Sequence, residues 1–134
     1  MTKTPEATVE FFVPERPVPK VRTTQRGAWS PAFKRCQEFE GKVRKCAENA
    51  VGERTFDQTR KWILHFKFLV PQLRGDPDNL VKSVIDAMRG PLFYDDSVKY
   101  IRKISATFYH DKEKQGIHVA AYQEKGEEDV AVPN

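Results

Sequence analysis

Residues 75–96 read GDPDNLVKSVIDAMRGPLFYDD, and they predict one amphipathic helix with acidic residues before, on and after it. Asp76-Pro77 marks the start, because aspartate caps the first backbone N–H groups and proline fits the first helical position. Gly90-Pro91 marks the end, since glycine and then proline commonly follow the last turn. The helix is therefore predicted over residues 77–89.

At about 100° per residue, the apolar side chains of this helix fall on one arc and the charged ones follow beside it. The apolar set is Leu80, Val81, Val84, Ile85 and Met88. The charged set is Asp78, Lys82, Asp86 and Arg89. A charged stripe that borders a buried face is expected of a site held against the core.

Asp95 and Asp96 can rejoin this stripe without a long loop. The helix rises about 16 Å from Asp78 to its end, whereas residues 90–96 can span up to about 23 Å. If Asp76, Asp78 and Asp96 converge to about 4 Å, each repulsive pair costs about 4 kcal/mol at an effective dielectric near 20. Such a cluster would hold a cation, and carboxylate oxygens suit Mg²⁺ or Mn²⁺.

The same acids also have a purely structural interpretation. Asp76 can be a helix cap alone, and Asp78 can be a first-turn residue that the helix dipole favours. Asp78, Lys82 and Asp86 have the spacing of a solvated ladder of ion pairs, and Asp95-Asp96 can be only a turn. Periodicity does not decide between the two interpretations.

Outward from this helix, apolar and β-branched runs predict strands over residues 8–13, 61–70, 98–109 and 117–122. Ser30-Pro31 predicts the start of a first helix that runs to about Val51. The fold class is therefore α+β in two layers, with helices on a small mixed sheet and the order β-α-β-α-β-β. We expect the last two strands to form a hairpin, because a short polar turn joins them.

The length of 134 residues suits one domain, which we place over residues 1–123, followed by a flexible acidic tail over 124–134. Cys36 and Cys46 would lie about 15 Å apart on one helix, beyond the limit of roughly 7 Å for a disulfide. No apolar run approaches the roughly 20 residues of a membrane span. These features favour a cytoplasmic protein with reduced cysteines.

Positive charge is concentrated in the first half of the chain, although the net charge is only +4. Residues 16–45 contain nine basic side chains against two acidic ones, which indicates a surface that faces a polyanion or one that is simply solvated. The candidate phosphate contacts are basic side chains from this region and from the loop before the acidic stretch. They are Lys20, Arg22, Arg26, Lys34, Arg35 and Arg74.

The acidic stretch resembles the RusA family of Holliday-junction resolvases. The family pattern is a D-x-D-N-x-x-K block, an aspartate within the helix and a paired aspartate before the next strand, met here by Asp76 to Lys82, Asp86 and Asp95-Asp96. The resemblance implies a homodimeric, Mg²⁺-dependent endonuclease of phage or prophage type, with Mn²⁺ able to substitute. Such an enzyme cuts four-way DNA junctions by paired incisions during recombination and repair in a bacterial cell.

The resemblance also implies roles for individual residues. Asp76, Asp78 and Asp96 would bind the metal, Asp95 is a further candidate ligand, and Lys82 would be the catalytic lysine. Asp86 would be a supporting residue. The six basic side chains named above remain candidate DNA contacts on the basis of their charge.

Two other functions are compatible with the same residues. A non-catalytic DNA-binding protein would use the basic surface and keep the acids as caps and solvated pairs. A metal-dependent nucleotide phosphohydrolase would use the acids, although the basic residues favour a longer polyanion.

Overall fold

The computed structural model describes residues 7–21, 30–73 and 75–124. The elements are β1 (Val9–Val13), α1 (Pro31–Val51), β2 (Trp62–Val70), α2 (Pro77–Met88), β3 (Ile101–His110) and β4 (Gly116–Gln123). Two helices and a four-stranded mixed sheet confirm the predicted α+β class and the predicted order of elements. Residues 125–134 of the predicted acidic tail lie outside the described ranges.

The sheet has the strand order β1-β4-β2-β3, so the predicted hairpin between the last two strands is wrong. β4 runs antiparallel to both β1 and β2, whereas β3 runs parallel to β2. The physical reason is that β2, the strand with the largest number of apolar side chains, takes an interior place where both of its edges are paired. Residues 111–115 carry the chain past the end of β2, where the N–H of Asp111 donates to the carbonyl of Val70 at 2.9 Å.

One face of the sheet and both helices share a single hydrophobic core. Alternate residues of β2 face this core, and they are Trp62, Leu64, Phe66, Phe68 and Val70. Phe39 and Val43 of α1 and Val84 and Met88 of α2 pack into the same core. Both helices therefore lie on one side of the sheet, and α2 is held there by its apolar arc.

Helix α1 confirms the signals read from its sequence. The Ser30 hydroxyl accepts a hydrogen bond from the backbone N–H of Phe33 at 3.1 Å, and the helix ends at Val51 as predicted. Cys36 and Cys46 are both free thiols. Four of its basic residues that remain exposed are Lys34, Arg35, Lys42 and Lys45.

Several boundaries differ from the predicted ones by a few residues. β3 begins at Ile101 rather than at residue 98, because residues 98–100 form a turn in which the N–H groups of Tyr100 and Ile101 both donate to the carbonyl of Ser97 at 3.0 Å. α2 ends at Met88, one residue early. Within the described ranges, neither helix is long and apolar enough to cross a membrane.

Candidate active site

The start of α2 is a capped helix terminus with exposed acids. One carboxylate oxygen of Asp76 accepts a hydrogen bond from the N–H of Asp78 at 2.9 Å, and the other accepts from the Asn79 amide at 3.3 Å. Gly75 precedes the cap with a φ of 107°, in the region that favours glycine. The predicted cap is confirmed, and Asp76 and Asp78 both remain exposed.

Lys82, in the middle of α2, joins the helix to the loop that precedes β3. Its Nζ contacts Oδ2 of Asp96 and lies 2.9 Å from Oδ1 of Asp86. Asp95 accepts a hydrogen bond from the N–H of Asp96 at 2.8 Å and lies 3.9 Å from Arg89. The prediction that the loop can return to the charged stripe is confirmed for Asp96.

Gln58 forms hydrogen bonds with the backbone of the loop that leads from α2 to Asp96. The Gln58 amide donates to the carbonyl of Leu92 at 3.0 Å, and its oxygen accepts from the N–H of Tyr94 at 3.3 Å. Leu92 and Phe93 are buried, which anchors the turn immediately before Asp95. The position of Asp96 is therefore defined by packing and backbone bonds as well as by Lys82.

A second lysine extends the contacts of Lys82 into the body of the protein. The Nζ of Lys20 lies 2.8 Å from Glu40 on α1 and 3.1 Å from Oδ2 of Asp86. Opposite charges thus alternate through Glu40, Lys20, Asp86, Lys82 and Asp96, a set we call the ion-pair chain. Sequence reasoning assigned Lys20 to phosphate contact and did not single out Glu40, because no periodicity links these distant positions.

Asp86 is the central and least accessible member of the ion-pair chain. Its side chain is only 11% exposed, whereas that of Lys82 is 47% exposed. Oδ1 is buried without a hydrogen bond, so its compensation is the ionic contact with Lys82 at 2.9 Å. A carboxylate in this position requires cations nearby, since an unpaired buried charge is strongly destabilising.

The ionic contacts shift the pKa values of Lys20, Lys82 and Asp96 in the ion-pair chain in the directions expected for paired charges. The hydrogen bond from Lys82 holds the pKa of Asp96 below its ordinary value. The same hydrogen bond raises the pKa of Lys82, and it outweighs the effect of burial. Burial lowers the pKa of Lys20, but Glu40 and Asp86 together outweigh it and the net pKa is raised.

These pKa shifts define what Lys82 can do chemically. Because its pKa lies above the ordinary lysine value, the side chain is an ammonium at neutral pH. It can stabilise negative charge that develops on a nearby oxygen, but it has no free lone pair with which to act as a general base.

The predicted ligands Asp76, Asp78 and Asp96 are not drawn into one cluster. Within residues 7–21, 30–73 and 75–124, no group of three or more His, Cys, Asp or Glu side chains could hold a metal ion. The donor chemistry nevertheless suits Mg²⁺, which often uses one or two carboxylates together with water and substrate phosphate. Asp76 and Asp78 are exposed and Asp96 is partly exposed, so these carboxylates are accessible to such an ion.

The basic candidates fall into three groups. Lys34 and Arg35 are exposed on α1, as a phosphate contact requires. Lys20 is instead engaged in the ion-pair chain. The predicted contacts Arg22, Arg26 and Arg74 lie outside the described residues.

Arg44 has a structural role that the charge count did not indicate. Its guanidinium donates to the carbonyls of Asp86 and Ala87, each at 3.2 Å. These carbonyls belong to the last turn of α2, where the Asp86 carbonyl also accepts a hydrogen bond from the N–H of Arg89 at 3.4 Å. Arg44 therefore fastens the end of α2 to α1 and supports the backbone of Asp86.

Comparison with known proteins assigns the chain to a family. It matches the family described as endodeoxyribonuclease RusA over residues 13–121, most of its length. This range contains both helices and all five members of the ion-pair chain. No curated protein matches the chain. The resemblance read from the acidic stretch is thereby confirmed, and the chain belongs to the endodeoxyribonuclease RusA family.

Proposed function

We propose that this protein is a Mg²⁺-dependent endonuclease that resolves four-way DNA junctions in recombination and repair, acting as a homodimer. Membership of an endodeoxyribonuclease family supports the nuclease class. The observation that carries the assignment of the site is the Lys82 ammonium, which lies between Asp86 and Asp96. Mn²⁺ would serve in place of Mg²⁺, because both prefer oxygen ligands.

Asp76, Asp78 and Asp96 are the residues that would hold the metal ion, with Asp95 as a further candidate. When bound, the ion would polarise the scissile phosphate and lower the pKa of a bound water. Lys82 would donate to a phosphate oxygen as negative charge develops on it. Asp86 would hold the Lys82 side chain in place for that contact.

DNA would approach along the basic face of α1. Lys34 and Arg35 are exposed there, on the helix that also supplies Glu40 to the ion-pair chain. Binding through such contacts releases counterions, so affinity should fall steeply with salt. Two copies related by a two-fold axis would present two sites to a branched substrate of matching symmetry.

The decisive experiment compares binding and cleavage in charge-neutral variants. We expect Asp76→Asn and Asp78→Asn to bind a four-way junction as the natural protein does but to fail to cut it with Mg²⁺ present. Asp111→Asn is the matched control, because the Asp111 carboxylate accepts hydrogen bonds within its own turn, from the N–H groups of Glu113 and Lys114. Undiminished cleavage by both test variants would refute the site.

The substrate assignment needs its own comparison. Junction, duplex and single-stranded DNA are incubated with and without Mg²⁺, beside a nucleotide triphosphate. We expect cleavage of the junction alone, in the presence of the cation. Binding without cleavage would favour the non-catalytic DNA-binding function, and hydrolysis of the nucleotide would favour the phosphohydrolase.

A further inference from the structure

We infer that Lys20, paired with Glu40, is a positioning residue for Lys82 that acts through Asp86. The inference rests on the proposed function, in which Lys82 is the catalytic lysine. It changes the role of Lys20 from a phosphate contact to an internal support of the site. Three sets of observations carry it: how Lys20 is held, what its ammonium contacts, and how Asp86 divides its two oxygens.

The backbone of Lys20 is fixed directly on α2. Its N–H donates to the carbonyl of Asn79 at 2.8 Å, and the Ser83 hydroxyl donates to the carbonyl of Val18 at 2.7 Å. Ser83 is fully buried. The segment that carries Lys20 therefore lies against the same helix as Lys82, and its ammonium starts from a defined position.

The ammonium of Lys20 is committed to two carboxylates. It lies 2.8 Å from Glu40 and 3.1 Å from Asp86, and its side chain is 29% exposed. Lys34, by comparison, is exposed and has no ion pair among the described residues. A lysine that neutralises two partly buried carboxylates has little capacity left for a DNA phosphate.

Asp86 divides its two oxygens between the two lysines. Oδ2 faces Lys20 and Oδ1 faces Lys82. Without Lys20, both oxygens of Asp86 would compete for Lys82, and Glu40 would lose the cation that separates it from Asp86. The Lys82 ammonium would then be drawn from Asp96 toward Asp86, and small displacements of a catalytic group are costly.

The test uses Lys20→Met, which keeps the length of the side chain and removes its charge, and Lys20→Arg, which restores the charge. Junction cleavage is measured in a single turnover at saturating protein with Mg²⁺, and affinity is measured in EDTA. We expect Lys20→Met to cut about 10-fold or more slowly, the usual scale for a support residue. Its Kd should stay within about twofold, since no phosphate contact is lost.

Two controls separate positioning from binding and from folding. Lys34→Met, at a proposed DNA contact, should instead weaken affinity and reduce the slope of log affinity against log salt by about one. Lys20→Arg should recover most of the rate. In an Asp86→Asn background, Lys20→Met should add little further loss of rate, because Lys20 acts on Lys82 through Asp86.

The opposite split would overturn the inference. If Lys20→Met lost affinity and salt slope but kept the saturated rate, Lys20 would be a phosphate contact. If Lys20→Met kept both the cleavage rate and the affinity of the natural protein, Lys20 would have no role in the site. If Lys20→Met did not fold, Glu40→Gln would be tested in its place. Junction cleavage by Glu40→Gln at the rate of the natural protein would refute the role of the ion-pair chain.

A spectroscopic readout keeps this test separate from that of the proposed function. If the natural protein cut no junction, the proposed function would fail, yet the ¹⁵N NMR signal of the Lys82 ammonium would still report its surroundings. We expect that signal to move in Lys20→Met and to return in Lys20→Arg. An unmoved signal in Lys20→Met would refute the positioning role whatever the activity.

Discussion

The aspartates at the start of α2 and the aspartate in its middle have opposite surroundings. Asp76 and Asp78 are exposed, and Asp76 accepts hydrogen bonds from neutral donors of its own helix. Asp86 is largely buried, and each of its oxygens faces a lysine ammonium. The first pair keeps lone pairs available for a cation, whereas Asp86 is already neutralised by the protein.

This difference resolves an ambiguity in the sequence pattern. Asp78, Lys82 and Asp86 have the spacing of one ladder of ion pairs, but only its second half forms. Lys82 pairs with Asp86, and among the described residues Asp78 takes part in no ion pair. Position relative to the core, rather than residue type or spacing, therefore separates the accessible Asp76 and Asp78 from the supporting Asp86.

The largest effect that tests this division is expected for Lys82→Met. Removing the ammonium eliminates the cation beside Asp96, so we expect junction cleavage to slow by about 100-fold or more, as for loss of an electrostatic stabiliser. Affinity for the junction should change little. Equal losses in rate and affinity would instead make Lys82 a simple phosphate contact.

The next largest effect is expected on the free energy of unfolding, when the two kinds of aspartate are replaced separately. Asp86→Asn leaves two ammonium groups without their shared carboxylate, so we expect the free energy of unfolding to fall by about 1–3 kcal/mol. Asp78→Asn removes only a first-turn charge, worth about 0.3–1 kcal/mol. Urea unfolding of both variants measures the difference, and equal losses would contradict the division.

Local signals explain why much of the fold and part of the site could be predicted. The Ser30 and Asp76 caps, the apolar arc of α2 and the apolar run of β2 are each signals carried by residues close together in the sequence. The reach of the loop also permitted Asp96 to return to the helix, and the structure places it beside Lys82.

The features that were missed depend on contacts between distant parts of the chain. The hairpin prediction failed because strand order is decided by competition for the interior place beside β2, which a short polar turn does not reveal. The basic composition of residues 16–45 predicts a phosphate contact for Lys20. Its partners Glu40 and Asp86 lie on two different helices, so only packing brings the three together.

A smaller effect separates the two roles proposed for Asp76. Asparagine caps a helix about as well as aspartate, whereas alanine in its place costs about 1 kcal/mol. We therefore expect Asp76→Asn to keep the natural thermal stability and Asp76→Ala to lose that amount, while both lose Mg²⁺-dependent cleavage. Equal unfolding temperatures for the two variants would refute the role of Asp76 as a helix cap. Mg²⁺-dependent cleavage by Asp76→Asn would refute its role as a metal ligand.

The smallest effect concerns the pH dependence of the Lys82–Asp96 contact. The pKa of Asp96 is lowered in the folded protein, so its contribution is present above the unfolded carboxyl pKa near 4 and is lost as pH falls through the folded value. The pKa of Lys82 is raised, so its contribution is present below the unfolded value near 10.4 and is lost as pH rises through the folded one.

Asp96→Asn should remove the acidic limb and weaken the alkaline one, which Asp86 also supports, at a cost of about 1 kcal/mol or less near neutral pH because the Lys82–Asp96 pair is partly exposed. In urea unfolding at a series of pH values, the deficit of Asp96→Asn should be constant around neutrality and should shrink at both extremes. Asp111→Asn is the control, because the Asp111 carboxylate accepts its hydrogen bonds from the N–H groups of Glu113 and Lys114, outside the ion-pair chain. A deficit that persists unchanged at acidic pH would show that the Asp96 side chain does not stabilise the protein through its ionic contact with Lys82.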